Sequence, residues 1–146
     1  GSVEREPATA AQLRRMSDSA GLSARVNFAG ELAGDALSAC YDESDIFVLP
    51  THYEGYGMAV AEALARGIPV VSTPTGAIEQ LVGSDAGILV PSGNVPALVS
   101  ALRTVLSDAD RRAALRAGAL ARRSELPTWD TAAEAMDAIL TSVLEQ

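Results

Sequence analysis

The sequence contains no lysine, one cysteine and one histidine. Without lysine, the chain can form neither a Schiff base nor a Walker-type phosphate-binding loop, because both depend on a lysine amine. The single cysteine, Cys40, excludes an internal disulfide and any zinc site built from several cysteines. The single histidine, His52, argues against histidine-based zinc sites and Ser-His triads. These counts remove several classes of metalloenzyme and hydrolase.

Basic residues and long apolar runs are also scarce. Eleven arginines stand against 19 acidic residues, so the formal net charge is -8 and the isoelectric point is about 4.5. A general nucleic-acid binder needs a basic face, so we expect no nucleic-acid partner. No apolar run approaches the ~20 residues of a membrane helix, and no signal segment opens the chain. These absences favour a soluble, cytoplasmic protein without a transmembrane segment.

The residues that are present favour one folded domain. The 146 residues are 48% hydrophobic and 21% charged, which excludes intrinsic disorder as the main description. Short apolar runs at 25–30, 45–50, 68–73 and 87–91 alternate with helical patterns. Because these runs are apolar on both faces, they predict buried parallel strands. The alternation therefore predicts an α/β fold, a Rossmann-like parallel sheet with helices on both faces.

Several helical patterns begin or end at a residue with capping chemistry. Met58 to Arg66 is one predicted helix, and Gly67 follows it as a candidate C-cap. Cys40 lies on the apolar stripe of another helix, so we expect its thiol in the core. The candidate N-caps, each with a side-chain oxygen, are Asp35, Asn94, Asp108 and Thr128.

The most informative segment is the loop between the second apolar run and the helix that begins at Met58. Ligands of open α/β sheets bind beyond the carboxyl ends of the strands. Gly55 and Gly57 bracket Tyr56 at the predicted helix start. Glycine allows a ligand close to backbone N–H groups, and a helix N-terminus attracts phosphate. The loop therefore predicts an anion-binding turn, although such glycine pairs also occur in ordinary tight turns.

Two glutamates, Glu54 and Glu62, lie eight positions apart in this segment. Along a helix this separation corresponds to roughly 12 Å. The carboxyl groups of glycosidases are at most about 9.5 Å apart, so the spacing disfavours a hydrolytic pair. It favours two ends of one extended ligand, with Glu62 in a largely buried helix, where a carboxylate needs partners. The alternative is one glutamate favoured by the helix dipole and one on the surface.

These motifs together resemble the retaining GT-B glycosyltransferases of family 4. Residues 54–57 match the E-G-[FY]-G start of that family's E-x7-E signature, and Glu62 is its second glutamate. Residues 67–71 match its G-x-P-V-V strand. Residues 26–30 resemble its V-x-F-x-G strand, and 76–79 resemble its G-G-x-x-E segment with alanine at the second glycine. The resemblance extends over nearly the whole chain.

The resemblance implies that the chain is the C-terminal half of a GT-B fold. That half normally begins with a β-α-β unit and a basic pair that grips the diphosphate, and this chain contains neither. The acceptor-binding N-terminal domain is absent as well. We therefore expect residues 1–146 to be a partial nucleotide-sugar-binding domain of a longer enzyme, with the 26–28 strand lacking its usual partner.

The resemblance also implies a role for each residue of the site. Glu54 would be the catalytic residue, beside the donor sugar, and Glu62 would accept hydrogen bonds from the ribose hydroxyls. A sugar would be transferred, with retention, from a UDP-, GDP- or ADP-sugar to an unknown acceptor. No metal and no other cofactor would be required. The other donor-binding residues would be His52, Gly55, Tyr56, Gly57 and Met58, with Gly30, Glu31 and Leu32 beside the base.

Two other functions stay open on the residues alone. A non-catalytic nucleotide-sugar-binding module would use Glu62 in the same way. An interaction domain would need neither the Glu-Gly-Tyr-Gly turn nor a buried Glu62, and it is disfavoured by their combination. His52 and Glu79 also fit an ordinary role at the surface.

Overall fold

The computed structural model describes residues 3–144, without the side chains of Trp129 and Leu144. The chain divides into two compact units, Gly1–Glu43 and Ser44–Gln146. The first unit contains the helices α1 (Pro7–Ser19) and α2 (Gly34–Asp42). Proline at the first position of α1 suits a helix start, where no N–H is required.

The strand expected at 25–30 is not formed. Residues 26–30 have no regular secondary structure, and the N–H groups of Arg25 and Val26 donate to the carbonyl of Leu22 in a turn. The guanidinium of Arg14 on α1 lies 5.5 Å from the centre of the Phe28 ring. Because a strand is defined by its hydrogen-bonded neighbour, the apolar pattern alone could not produce one beside two helices.

Two further predictions for α2 were wrong. The N-cap of α2 is Ala33, and Asp35 lies inside the first turn without a side-chain cap. Its charge still suits the positive end of the helix dipole. Cys40 is exposed, and Tyr41 is the buried residue of this helix. The helix is short, and its apolar stripe is only partly covered.

The second unit is built on a parallel three-stranded sheet, which confirms the α/β prediction. Its strands are β1 (Phe47–Leu49), β2 (Val70–Ser72) and β3 (Gly87–Leu89), and β2 lies in the middle. Each strand is shorter than the apolar run that predicted it. The helices of this unit are α3 (Met58–Ala65), α4 (Ile78–Val82), α5 (Val95–Ser107), α6 (Ala109–Arg123) and α7 (Trp129–Leu144).

The middle strand is covered on both faces. Val70 pairs with Phe47 of β1 and with Gly87 of β3. Val70 and Val71 are both fully buried, and successive strand residues point to opposite faces of a sheet. Val71 packs in a cluster with Val90, Ala101, Val105 and Leu115. Helices α3 and α4 contribute the buried side chains Val60, Ala63, Leu64, Ile78 and Val82.

Three predicted N-caps of the second unit are confirmed. The side-chain oxygen of Asn94 accepts a hydrogen bond from the N–H of Ala97 at 3.0 Å. Asp108 caps α6 in the same way, and Thr128 accepts from Thr131 N–H at 3.1 Å before α7. These caps were predictable because each depends only on residues within one helical turn.

Candidate functional site

The loop between β1 and α3, residues 50–57, carries the predicted site and is named here the Glu54 loop. It leaves β1 after Leu49 and ends at Gly57, the N-cap of α3. Gly57 has a φ of 82°, and a Cβ there would lie 3.2 Å from Leu81 and 3.3 Å from Ile78. Both the left-handed backbone and the lack of space therefore require glycine at this position.

The carboxylate of Glu54 turns back onto the start of α3. Its Oε1 accepts hydrogen bonds from the N–H of Gly55 at 3.1 Å and from the N–H of Gly57 at 3.2 Å. The first N–H groups of a helix lack partners within the helix and attract negative charge. The sequence predicted an anion at these amides, and in this structure the anion is the chain's own half-buried Glu54 side chain.

The loop that follows β2 supports the Glu54 loop from one side. The N–H of Ala77 donates to the carbonyl of Gly55 at 3.0 Å. Gly76 has a φ of 56°, and a Cβ there would overlap the carbonyl oxygens of Glu54 and Gly55. Glycine is thus required at 76 for close approach of two backbones. Ala77 has an ordinary φ of -82°, so the alanine in place of the family's second glycine fits without strain.

Two hydroxyl groups at the end of β2 hold the beginning of the loop. Ser72 Oγ donates to the carbonyl of Leu49 at 2.6 Å, and Thr73 Oγ1 donates to the carbonyl of Thr51 at 2.6 Å. Both Ser72 and Thr73 are buried. The role of these two hydroxyl groups in holding the loop was not predicted from the sequence. Hydroxyls at the end of a buried strand need acceptors, which is the signal that would have identified them.

His52 contacts the loop that follows β3. Its Nδ1 lies 2.8 Å from Ser92 Oγ, and both residues are exposed. A Cβ at Gly93 would lie 3.6 Å from His52 Cε1, so the ring lies beside the Ser92–Gly93 turn. Ser92 was not among the predicted site residues. It lies 40 positions from His52, and no local pattern links the two.

The remaining predicted residues of the second unit lie on or beside α3. Glu62 is half-buried on α3, which is less than the burial expected for it. Its backbone carbonyl accepts a hydrogen bond from Arg66 at 3.2 Å. The Tyr56 side chain is 46% exposed and that of Met58 is 57% exposed. A ligand at the start of α3 would therefore meet accessible side chains as well as the loop backbone.

The predicted base-contacting residues belong to the first unit. Gly30, Glu31 and Leu32 line a cavity of about 600 Å³ together with Leu13 and Phe28. Gly30 has a φ of 73°, which suits its place in a turn. The contact of these three residues with a nucleotide base stays a prediction.

Arg122 lies near Tyr56 and is already paired with carboxylates. It donates to Asp85 at 3.1 Å and to Glu125 at 2.9 Å, and it lines a cavity of about 160 Å³ with Tyr56. The hydrogen bond to Asp85 raises the pKa of Arg122 above its ordinary value. This arginine is therefore positioned by two carboxylates at the end of α6.

Neither a metal-binding cluster nor a membrane-spanning helix occurs among residues 3–144. No group of three or more His, Cys, Asp and Glu residues in this range is arranged to hold a metal ion. None of the helices in the described part of the chain combines the length and the apolar character needed to cross a bilayer.

The parallel sheet and the Glu54 loop, which follows the carboxyl end of β1, define an α/β protein. The chain belongs to the family of glycosyl transferases group 1, whose family model matches residues 6–122. This match confirms the family that the sequence motifs resemble.

Relatives and solved structures agree with this assignment. The chain is 33% identical over 136 residues to the lipopolysaccharide core biosynthesis mannosyltransferase LpsB of Rhizobium meliloti, covering 91% of this chain and 38% of the relative. HepE of Anabaena, solved in complex with UDP, is 25% identical with a TM-score of 0.84, over 94% of this chain and 38% of HepE. The GT-B fold prediction is confirmed.

A third match bears on the fold alone. The C-terminal domain of LpcC of Francisella tularensis has a TM-score of 0.75 at 24% identity, over 83% of this chain and 63% of that domain structure. The chain spans less than two fifths of the length of LpsB and of HepE.

Proposed function

We propose that this chain is the donor-binding part of a retaining glycosyltransferase. It would transfer a sugar from a nucleotide diphosphate sugar to an acceptor held by another domain of a longer protein. The observation that carries the proposal is the pair of N–H groups, from Gly55 and Gly57, that converge on one carboxylate oxygen of Glu54. Amides that hold a carboxylate oxygen have the geometry to hold a phosphate oxygen.

The diphosphate would take the position of the Glu54 carboxylate at the start of α3. Once displaced, the Glu54 side chain would be free to contact the donor sugar. The UDP in the HepE structure supports a nucleoside diphosphate as the ligand class, because HepE shares the fold over nearly all of this chain. The identity of the base and of the sugar is left to experiment.

Glu62 would bind the ribose of the same donor. It lies about one and a half turns along α3 from Gly57, where the Glu54 loop ends, and its half-buried position leaves a carboxylate accessible to hydroxyl donors. A carboxylate accepts several hydrogen bonds and is well suited to a pair of vicinal hydroxyls. Glu54 and Glu62 would thus contact opposite ends of one extended ligand.

Transfer requires stabilisation of the leaving diphosphate. Fixed N–H dipoles at the start of α3 would supply part of it without reorganisation during the reaction. By the resemblance to the family, a basic pair elsewhere in a longer protein would supply the rest. Retention of configuration, acceptor binding by a separate N-terminal domain and a cytoplasmic location belong to the same proposal.

The test uses the full-length protein that contains this chain. Calorimetric titration with UDP, GDP and ADP should give saturable binding of at least one nucleotide. Glu62→Gln should weaken it about tenfold, whereas the matched control Glu134→Gln, on exposed α7, should leave it unchanged. The absence of binding by all three nucleotides would contradict the proposal. Binding without sugar transfer to any acceptor would instead favour a non-catalytic binding module.

A further inference from the structure

The Glu54 loop is held by two neighbouring loops rather than one. The loop after β2 holds it through the backbone carbonyls of Thr51 and Gly55. The loop after β3 holds it through a hydrogen bond between two side chains, those of His52 and Ser92. The second contact reaches past β2, which lies between β1 and β3. It joins the loops that follow the two outer strands, β1 and β3, at the carboxyl ends of the strands, where the proposed donor would bind.

The contact between His52 and Ser92 depends on the identity of both side chains. A backbone carbonyl survives most substitutions, whereas an imidazole nitrogen and a hydroxyl do not. The hydrogen bond between Nδ1 and Ser92 Oγ is 2.8 Å long, and the ring lies beside the turn at Gly93, whose φ is 74°. The hydrogen bond therefore restrains the His52 ring on the loop that follows β3.

We propose that Ser92 is a positioning residue for donor binding and that it acts through His52. Their hydrogen bond holds the Glu54 loop so that the N–H groups of Gly55 and Gly57 keep the orientation in which they receive an anionic oxygen. This inference rests on the proposed function, because it assigns Ser92 to the same donor site.

The physical reason is the entropy of an exposed loop. Residues 52–56 have partly or fully exposed side chains, and a loop without lateral contacts samples many conformations. Ordering such a loop when the ligand arrives reduces affinity, and ordering it beforehand avoids that loss. His52 lies two positions before Glu54, so its restraint acts directly on the segment that contains the two N–H groups.

The first experiment measures nucleotide binding to the full-length protein by calorimetry with UDP, GDP and ADP. Ser92→Ala and His52→Ala should each raise the dissociation constant roughly two- to tenfold, the effect of one net hydrogen bond. The double variant should be no weaker than the weaker single variant, because both remove the same contact. Ser84 is an exposed serine that precedes β3, at the amino ends of the strands. Ser84→Ala is therefore the matched control, and this variant should bind nucleotide as the parent does.

Conservative variants separate positioning from direct contact. Ser92→Thr keeps the hydroxyl, and His52→Asn places an acceptor near the position of Nδ1, so both should restore binding. His52→Gln places its amide near Nε2 and should not. Rescue by His52→Gln but not by His52→Asn would identify His52 as a direct ligand and would overturn the role of Ser92. Additive losses in the double variant would overturn it as well.

A second measurement needs no nucleotide. In the free protein, Ser92→Ala should speed hydrogen exchange at the Gly55 and Gly57 amides roughly two- to tenfold, with exchange in α5 unchanged. Unchanged exchange at both glycines would overturn the proposal. If the parent binds none of the three nucleotides, the proposed function fails. The exchange rates still decide whether Ser92 holds the loop.

Discussion

The Oε1 atom of Glu54 accepts a hydrogen bond from the N–H of Gly57, the residue that caps α3, at 3.2 Å. The same oxygen accepts from Gly55. A phosphate oxygen and this carboxylate cannot occupy the two N–H groups together. In the proposed function, diphosphate binding therefore displaces Glu54 and delivers its side chain to the sugar.

The first prediction concerns this competition. Glu54→Ala removes the internal occupant of the amides, so a nucleoside diphosphate should bind about three- to tenfold more tightly while sugar transfer falls. A charge-assisted hydrogen bond is worth about 1.5–3 kcal/mol, and partial exposure of Glu54 reduces that figure. Calorimetry with the full-length protein measures the affinity. The unphosphorylated nucleoside is the control and should bind equally to both proteins. Weaker diphosphate binding by Glu54→Ala would contradict the displacement.

The second prediction separates the ribose end from the phosphate end. Glu62→Gln should weaken a nucleoside diphosphate about tenfold, because it loses charge-assisted hydrogen bonds to two hydroxyls. Inorganic pyrophosphate has no ribose, and its affinity should stay within about twofold of the parent value. Titration of both ligands into both proteins provides the comparison. An equal loss for pyrophosphate would place Glu62 at the phosphates instead.

The third prediction concerns the two small residues that open α4. Gly76→Ala should lower the free energy of unfolding by about 1–3 kcal/mol, because its Cβ overlaps two carbonyl oxygens and its φ is positive. Ala77→Gly, at the next position, should change that free energy by less than about 1 kcal/mol. Urea denaturation of both variants is the measurement. A similar loss of unfolding free energy in Gly76→Ala and Ala77→Gly would show that the close backbone contact at Gly76 is not the cause of the destabilisation.

The fourth prediction concerns the isolated chain of 146 residues. It should transfer no sugar, because catalysis of transfer requires two substrates held in one geometry and this chain supplies at most the donor side. Product formation from each nucleotide sugar is assayed beside the full-length protein, with circular dichroism to establish folding of the fragment. Turnover by the fragment would place the acceptor site within this chain.

Local and periodic signals predicted much of the second unit. The three strands followed from apolar runs, although only β2 is buried along its whole length, and Asn94 and Asp108 followed from capping chemistry within one turn. The match to the family was also accessible from the sequence, because each motif that resembles the family is a short run of residues. Each of these features depends on residues that lie close together in the sequence.

Contacts between distant segments could not be predicted from such local patterns in the sequence. The run at 25–30 had the composition of a strand, but a strand needs a neighbour that composition does not specify. The hydrogen bonds of Glu54 depend on a side-chain rotamer, and the contact of Ser92 depends on the return of the chain after β3. The position of the Glu54 loop was predictable from the sequence. The Glu54 carboxylate that occupies its amides and the Ser92 contact that restrains it are visible only in the folded structure.

The Glu54 loop is tied to distant parts of the second unit. Its contacts reach Thr73, 22 positions from Thr51, and Ser92, 40 positions from His52, so the loop in this form depends on the folded sheet. A nucleotide that binds the finished loop therefore stabilises the folded unit as a whole, by about 2.7 kcal/mol when its concentration is a hundred times the dissociation constant. Donor availability would thus set how much of the protein survives heat or proteolysis.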